Sequence, residues 1–535
     1  MNKRVWVDQW PLKGHQLKAL NTLVEEQLRK GNIEPSNSAW NSLVFVIRKP
    51  GTDKGRLLHD LWRINEVIED MGPLQPGMPS TSMLPRQWKS AVIDIKDCFF
   101  QTPLHPDDAP RFAFSVPSIN QEAPMQHYWR VLLQGMKNSP TICQWYVAHI
   151  LSPVRKWAAR AMILHYMDDV LVCAPTQQYL EWTLSEVIGA LEANGFEIQA
   201  EKVQKTSPFK YLGVKIEEQT VTPQQLKISD NPRTLQELHQ LCGSISWVRL
   251  LLGLTTEDLA PLSNSLRGND DLKSPRQLTE EARNSIIKVQ DMLSSRQAHC
   301  CAPGLHFQFI VSGEMPYLHG LIFQWDQVQR DSLLIIEWVF LSHQPSKSIT
   351  TPQELMAQLV IKARSHLRTL AGCDFTCVYL PLTTNALDHL LQNNKHLQFA
   401  FDSYSGQISA HNPKNKLFNS AFKLIPKEIQ SREPLNALTI FTDGSGASDK
   451  SIITWRDPCT QKWESDMQVV EGSPQVAELA AVVRAFERLN EPFNLITDSA
   501  YVAGVVSRAQ RASLKKVANP KIRNLLSKLI RIVSH

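Results

Sequence analysis

The chain is predicted to be a multidomain α+β protein, and three observations predict it. At 535 residues it is too long for a single hydrophobic core. Helical and strand-like segments mix as far as Ile216, after which a helical stretch takes over. Strand-like segments return from Pro303, and a strand–helix–strand–helix unit opens after "REPLN". The composition, 43% hydrophobic and 20% charged, supplies ample core material and argues against a disordered class.

Each element follows from a local pattern. Leu17, Leu20, Leu23, Val24 and Leu28 recur at helical spacing, and "KGNIEPSNSAWNS" breaks that helix. "LVFVI" (Leu43 to Ile47) reads as a strand leading into the basic, turn-rich "RKPGTDKGR". "AVIDI" (Ala91 to Ile95) is a second strand and carries Asp94. "ILHYMDDVLV" (Ile163 to Val172) is apolar and β-prone except for the adjacent Asp168 and Asp169. Leu235, Leu238, Leu241, Ile245 and Val248 share one helical face. "LHFQFIV", "HGLIFQW" and "SLLIIEWVF" predict strands. In the last unit "ALTIFTDGSG" predicts a strand, followed by a helix from Pro474 to Leu489. Ser473 is its expected N-cap and Pro474 its first position. "FNLITD" predicts the next strand.

Several classes are disfavoured. The most apolar segment, "SLLIIEWVFL", is too short to span a bilayer and contains Glu337, so no membrane partner is expected. The N-terminal "MNKRVWVDQWPL" has no apolar h-region, so no secretory signal is expected. The nine cysteines are scattered and include no C-x-x-C pair, which argues for a reducing compartment and against a zinc knuckle. The net charge of +5, with a pI of about 8.6, fits either a polyanionic partner or an ordinary solvated surface.

Asp168 and Asp169 pose the central problem. Two adjacent carboxylates in an apolar strand are costly to bury unless something compensates their charge. A hairpin turn brings neighbouring carboxylates to one point, and Asp94 from another strand is a third candidate. Hard divalent cations take such oxygen ligands. Two ions roughly 3.5–4 Å apart can clamp the attacking and leaving oxygens of a phosphoryl displacement. Taken alone, adjacent aspartates are more often solvated turn residues, so the neighbouring sequence decides.

"HYMDDVLV" resembles the tyrosine–x–Asp–Asp motif of reverse transcriptases. Other blocks of that family follow in order: "VIDIKDCFFQTPL", "LLQGMKNSPTICQ", "GFEIQAEKVQ", "FKYLGVKI" and "QLCGSISWVR". "FTDGSG", "AELAAV" and "ITDSAYV" resemble ribonuclease H, and "NIEPSNSAWNSLVFVIRK" resembles the betaretroviral type of fingers. The resemblance is to the betaretrovirus-like class II endogenous retroviruses, among them the human endogenous retrovirus K and mouse mammary tumour virus groups. It covers nearly the whole chain.

The resemblance implies a right-hand polymerase. Fingers are expected at 1–69 and 102–138, palm at 70–101 and 139–217, and a helical thumb at 218–302. A connection domain is expected at 303–432 and a ribonuclease H-like α/β domain at 433–535. Asp94, Asp168 and Asp169 are implied to be catalytic and to hold two Mg²⁺ ions, for which Mn²⁺ can substitute. Lys49, Arg56, Asp97, Cys98, Phe99, Gln134, Met167 and Lys202 are implied around the incoming nucleotide. Lys49 and Arg56 would grip the triphosphate. Phe99 would lie under the sugar and exclude a 2′-hydroxyl, although Phe100 is adjacent and only one need face the pocket. Phe209, Tyr211, Leu212 and Gly213 fall in the primer-grip hairpin. Gly243 and Trp247, four apart on the thumb helix, would face the primer–template; a Trp buried in a helix pair fits that spacing equally well. His239 lies one turn earlier, where the family usually has Gln. Asp443, Glu478 and Asp498 are implied to hold metal for ribonuclease H.

The sequence also departs from the family. Leu-Pro-Gln-Gly becomes Leu132-Leu133-Gln134-Gly135, Lys-Trp-Arg becomes Lys54-Gly55-Arg56, and Asp-Leu-Arg becomes Asp60-Leu61-Trp62. The first two free backbone torsions near the nucleotide. Pro-Trp-Asn-Ser-Pro becomes Ala39-Trp40-Asn41-Ser42-Leu43. The family's fourth ribonuclease H acid lies beyond "LIRIVSH", so impaired RNA cleavage is expected, as in a drifted endogenous copy. No protease or integrase segment is expected.

The implied activity is RNA-directed and DNA-directed DNA polymerisation on a primer–template with dNTPs, in the cytoplasm or a virus-like particle. A monomer and a homodimer both remain open. The rival reading is a non-catalytic nucleic-acid-binding remnant. The retained acids, Lys49, Arg56 and Gln134 argue against it, and Leu133, Gly55 and Trp62 argue for it.

Overall fold

A computed structural model describes residues 4–48, 55–72, 78–118, 122–224, 228, 231–342, 347–419, 423–424, 431, 433–445, 448–515 and 517–534. The chain divides into two compact units, Met1–Gln224 and Gln225–His535. Among the described residues no helix is long and apolar enough to cross a membrane.

In the first unit an antiparallel sheet is ordered Lys89–Asp94, Asp169–Ala174, Met162–Tyr166. The central strand is almost wholly buried, from Val170 to Ala174. Its burial reflects the helices Ser139–Trp157 and Gln177–Ala193 packed nearby. Thr176 caps the second of these, its hydroxyl accepting the Tyr179 N–H. Ile93, Val172, Val147, Leu151, Val187 and Leu191 meet in one core. The predicted first helix is Gly14–Arg29, which buries Leu20 and Val24. The strand Leu43–Arg48 pairs with Gly55–Asp60, as the basic hairpin requires.

The second unit starts with the helix Leu235–Leu252, whose buried face carries Leu238, Leu241, Ile245 and Val248 as predicted. Two mixed sheets follow. The first is ordered Leu333–Phe340, His319–Trp325, Phe307–Ser312, Cys377–Tyr379, Gln407–Ser409. The second is ordered Trp463–Val469, Lys450–Arg456, Thr439–Ser445, Asn494–Thr497. In both, three antiparallel strands are followed by a helix and then a strand parallel to the first. The helices are Pro352–Ala371 and Pro474–Arg488, each with Pro at the start. The second unit thus repeats one topology, which sequence reading did not detect. Ser473 takes the extended N-cap conformation as expected, but its side chain makes no capping bond.

Candidate active site

The hairpin between Met162–Tyr166 and Asp169–Ala174 closes through Met167 and Asp168, with Tyr166 opposite Asp169. Met167 adopts a left-handed φ of 54°, a conformation that costs a residue with a Cβ about 1–2 kcal/mol. This tight reversal defeats strand alternation and keeps both acids at one edge. On the other side Asp94 lies directly opposite Asp169 in register. The Ile95 N–H donates to the Asp168 carbonyl at 2.8 Å, tying the turn to the neighbouring strand.

Asp168 is exposed, whereas Asp94 and Asp169 are half-buried. Burial, and then repulsion from Asp168 and Asp94, pushes the Asp169 carboxyl up to about 6, with Lys202 acting against them. Lys202, from the short turn Ala200–Lys202, sits with Nζ 3.2 Å from Asp94 Oδ2. Among the described residues, no three His, Cys, Asp or Glu side chains form a ready metal-holding group. The donor set is nonetheless all carboxylate oxygen, which fits a hard divalent cation.

A second acid group lies at the end of the last sheet. Thr442 and Thr497 are the final paired residues of two parallel strands, so Asp443 and Asp498 emerge side by side. Glu478 projects from the helix Pro474–Arg488, and its Oε2 accepts from Ser499 Oγ at 2.5 Å. Gly444 explains how strand and helix meet: a Cβ there would lie 2.3 Å from the Glu478 backbone nitrogen. In the other sheet, the residue five past the helix N-cap is Met356, and the residues after the paired strand ends are Val311 and Leu380. All three are buried and apolar. One copy of the fold therefore carries acids where the other is sealed by core side chains.

Family models match four stretches of the chain. Residues 47–216 match "Reverse transcriptase (RNA-dependent DNA polymerase)" and 223–287 match "Reverse transcriptase thumb domain". Residues 317–418 match "ERVK-8-like, RNaseH-like domain" and 435–534 match "RNase H". The Gag-Pro-Pol polyprotein of sheep pulmonary adenomatosis virus is 38% identical over 99% of this chain and 30% of its own length. That of mouse mammary tumor virus (strain BR6) is 38% identical over 95% of this chain and 28% of its own. The Mason-Pfizer monkey virus polyprotein is 38% identical over 93% and 28% respectively. The chain belongs to the betaretrovirus-like Pol family. It spans about 30% of the length of the polyproteins it matches. The match to an RNase H-like model over 317–418 agrees with the repeated topology.

In this Pol chain Met167 lies in the acid turn, Lys202 reaches Asp94, and Asp97, Cys98 and Phe99 follow the strand that ends at Asp94. Asp97 takes a left-handed φ of 45° and starts the turn Cys98–Gln101. Phe99 and Phe100 are both half-buried against the main core, and Phe100 makes the stack on Trp129 at 5.4 Å. The Cys98 side chain turns inward, its Sγ 2.9 Å from Cys143 Sγ, so only its backbone can meet a nucleotide. Arg56 donates to Gln134 Oε1, joining two residues that sequence reading placed on one ligand. Lys49 and Lys54 lie outside the described residues.

The departures from the family have structural counterparts. Leu133 is 1% exposed and belongs to the core. A Cβ on Gly55 would meet Val46 Cγ1 at 3.0 Å. Trp62 is exposed, with the Arg63 guanidinium over its ring at 4.8 Å.

Phe209 and Tyr211 are buried in a short strand, followed by Leu212 and Gly213 at positive φ. Burial first, and then Asp169, raises the Tyr211 phenol. On the helix Leu235–Leu252, Gly243 and Trp247 are both exposed on the face opposite its core. Beyond its own stretch of helix, no described atom lies within 4 Å of a Cβ built on Gly243. The buried-Trp reading is therefore set aside. His239 is exposed on the same helix.

Sequence reading missed the residues that brace this site. Asn65 donates to the Gly135 carbonyl and accepts from the Lys137 N–H, both at 2.8 Å, so it holds the loop carrying Gln134. Buried Gln144 and His165, with half-buried Arg155, form a hydrogen-bonded group behind the Asp168 turn. Polar residues on otherwise apolar faces were the available signal.

Proposed function

We propose that this chain is a DNA polymerase that copies RNA or DNA templates, extending a primer with dNTPs. The observation that carries the reading is the pairing of Asp94 with Asp169, beside Asp168, at one sheet edge. These three carboxylates would hold two Mg²⁺ ions, with Mn²⁺ able to substitute; bound there, the ions would polarise the primer hydroxyl and stabilise the leaving pyrophosphate. Burial and repulsion from Asp168 and Asp94 raise the Asp169 carboxyl to about 6, and a bound cation would favour its charged form.

The other residues bind, aim and exclude. Arg56 offers a guanidinium fork for the triphosphate, with Lys49 as a second cation. Its present bond to Gln134 supports both reaching one bound nucleotide. Asp97 and the Cys98 backbone line the sugar side, and Met167 sits at the primer end. Phe99 excludes a 2′-hydroxyl by its ring, since Phe100 is packed on Trp129. Lys202 is placed to exchange Asp94 for substrate phosphate. Phe209, Tyr211, Leu212 and Gly213 steady the primer end. Gly243 and Trp247 offer a bare backbone and an indole face to the duplex. In this reading fingers span 1–69 and 102–138, palm 70–101 and 139–217, thumb 218–302, and connection 303–432. In 433–535, Asp443, Glu478 and Asp498 would hold divalent metal for cleaving RNA in a hybrid.

Primer extension on an RNA template with Mg²⁺ or Mn²⁺, beside an Asp168→Asn control, tests the polymerase reading. Extension that vanishes in the control supports it. No extension with primer–template still bound favours a nucleic-acid-binding remnant. Cleavage of a labelled RNA–DNA hybrid, with a Glu478→Gln control, tests the second activity.

A further inference from the structure

The turn that presents Asp168 and Asp169 is held from behind by one buried side chain. Gln144, on the helix Ser139–Trp157, is 8% exposed. Its Oε1 accepts the Met167 N–H at 2.7 Å, and its Nε2 donates to the His165 carbonyl at 3.2 Å. It therefore bonds the backbone on both sides of Tyr166. The Met167 N–H belongs to the residue with left-handed φ, immediately before the two acids.

A second layer ties the strand before the turn to the helix backbone. Arg155 Nη2 lies 2.9 Å from His165 Nδ1, and arginine has no acceptor. His165 Nδ1 must therefore accept, which leaves the proton on Nε2. That N–H faces the Gln144 carbonyl at 3.2 Å. Arg155 also donates through Nε and Nη2 to the Ile163 carbonyl, both at 3.1 Å. Arg155 and Gln144 are about three helical turns apart, on one face of one helix. The bonds run from Arg155 through His165 to the Gln144 main-chain carbonyl, and from the Gln144 side chain to Met167.

We propose that Gln144 is a positioning residue for the acid turn, and that Arg155 and His165 tie the strand leading into the turn to the Gln144 main chain. The inference rests on the reading of Asp168 and Asp169 as the metal-holding acids. Without Gln144, the Met167 N–H and His165 carbonyl lose their partners, and the strained Met167 backbone is free to relax. The acids then move, and misplacement by about 1 Å costs on the order of a hundredfold in rate.

The test compares wild type, Gln144→Leu and Gln144→Glu. Glu keeps an acceptor for Met167 but loses the donor to His165. Three quantities are read: single-nucleotide kcat and KM, Mn²⁺ affinity of the free protein by paramagnetic resonance, and hydrogen exchange at the Met167 amide without metal. The expected result for Leu is a kcat about a hundredfold lower, with KM for dNTP and primer–template affinity within about twofold. Mn²⁺ binding weakens and Met167 exchange accelerates, with Glu intermediate in all three. A merely structural role would lower primer–template binding in step with kcat, and that outcome overturns the proposal. So does a folded Leu variant with kcat, Mn²⁺ binding and exchange all within twofold of wild type. Should Leu fail to fold, the Glu variant decides by the same readings. If wild type itself does not extend primers, the polymerase reading fails; fast Met167 exchange in wild type then overturns the positioning role, and slow exchange lost in the variants upholds it.

Discussion

Lys202 Nζ lies 3.2 Å from Asp94 Oδ2, so a lysine ammonium stands beside the acids that the proposed reaction needs for metal. Its side chain is about half exposed, and such pairs contribute about 0–1 kcal/mol. Replacing Lys202 with Met removes this competitor. Mn²⁺ affinity of the free protein is expected to rise by up to about fivefold. Titration followed by paramagnetic resonance checks this, and weaker Mn²⁺ binding in the variant would contradict it.

Phe99→Val leaves the Phe100 stack on Trp129 in place and trims a half-buried ring at the edge of the core. It opens space beneath the sugar. Discrimination between dNTP and rNTP is expected to fall by at least about tenfold, a plausible size for a steric contact in a pocket. Single-nucleotide incorporation with each substrate measures it, and unchanged discrimination would place the sugar elsewhere.

Leu133 stands where the family has proline, and it is buried in the main core of the first unit. Leu133→Ala should cost about 2–5 kcal/mol of stability through lost burial and a cavity. Urea unfolding of the variant reads this directly. A cost under about 1 kcal/mol would mean that the loop, rather than the core, sets the side chain's environment.

Gly444 lets the strand bearing Asp443 touch the helix bearing Glu478, and an added Cβ would lie 2.3 Å from backbone. Backbone cannot swing aside as a side chain does. Gly444→Ala is expected to cost about 1–3 kcal/mol and to separate the two acids. Thermal unfolding should shift down, and any hybrid cleavage should fall with it. An unshifted transition would show that strand and helix have room to part.

His366 Nε2 and Glu337 Oε1 are 2.9 Å apart, and Glu337 is 7% exposed. The hydrogen bond to Glu337 raises the His366 pKa above 6.5, against burial. A raised pKa means that the folded state binds the proton more tightly than the unfolded chain. The stabilisation is thus fully present below about 6.5 and is lost as pH rises through the folded value. Relative to His366→Ala, wild type should lose stability between neutral and mildly alkaline pH, as read by urea unfolding. A difference that grows with pH would reverse the assignment.

Much of the site was legible in the sequence because it depends on short-range identity. A carboxylate ending a strand, a hairpin with two acids and a Pro-initiated helix are all local signals. They located Asp94, Asp168, Asp169, Asp443 and Glu478 on the expected strands, turn and helix, and Asp498 just past the end of its strand. The apolar face of Leu235–Leu252 was equally visible, because helical periodicity records burial. Trp247 was ambiguous, since an indole suits a core or a surface; its position opposite the buried leucines resolves it.

What the sequence by itself determined was the elements and the acids they carry. What only the tertiary structure decided was which groups meet. The partners of Gln144 lie more than twenty residues away on another element, and Arg56 reaches Gln134 across 78 positions. Hydrogen-bond geometry at that separation is set by packing, which no local pattern encodes. The same holds for the repeated sheet order of the second unit. Its two copies differ in the very residues, Val311, Met356 and Leu380 against Asp443, Glu478 and Asp498, that a motif would have to match. Strand order survives that change because backbone pairing and core volume fix it, whereas the chemistry of the strand ends does not.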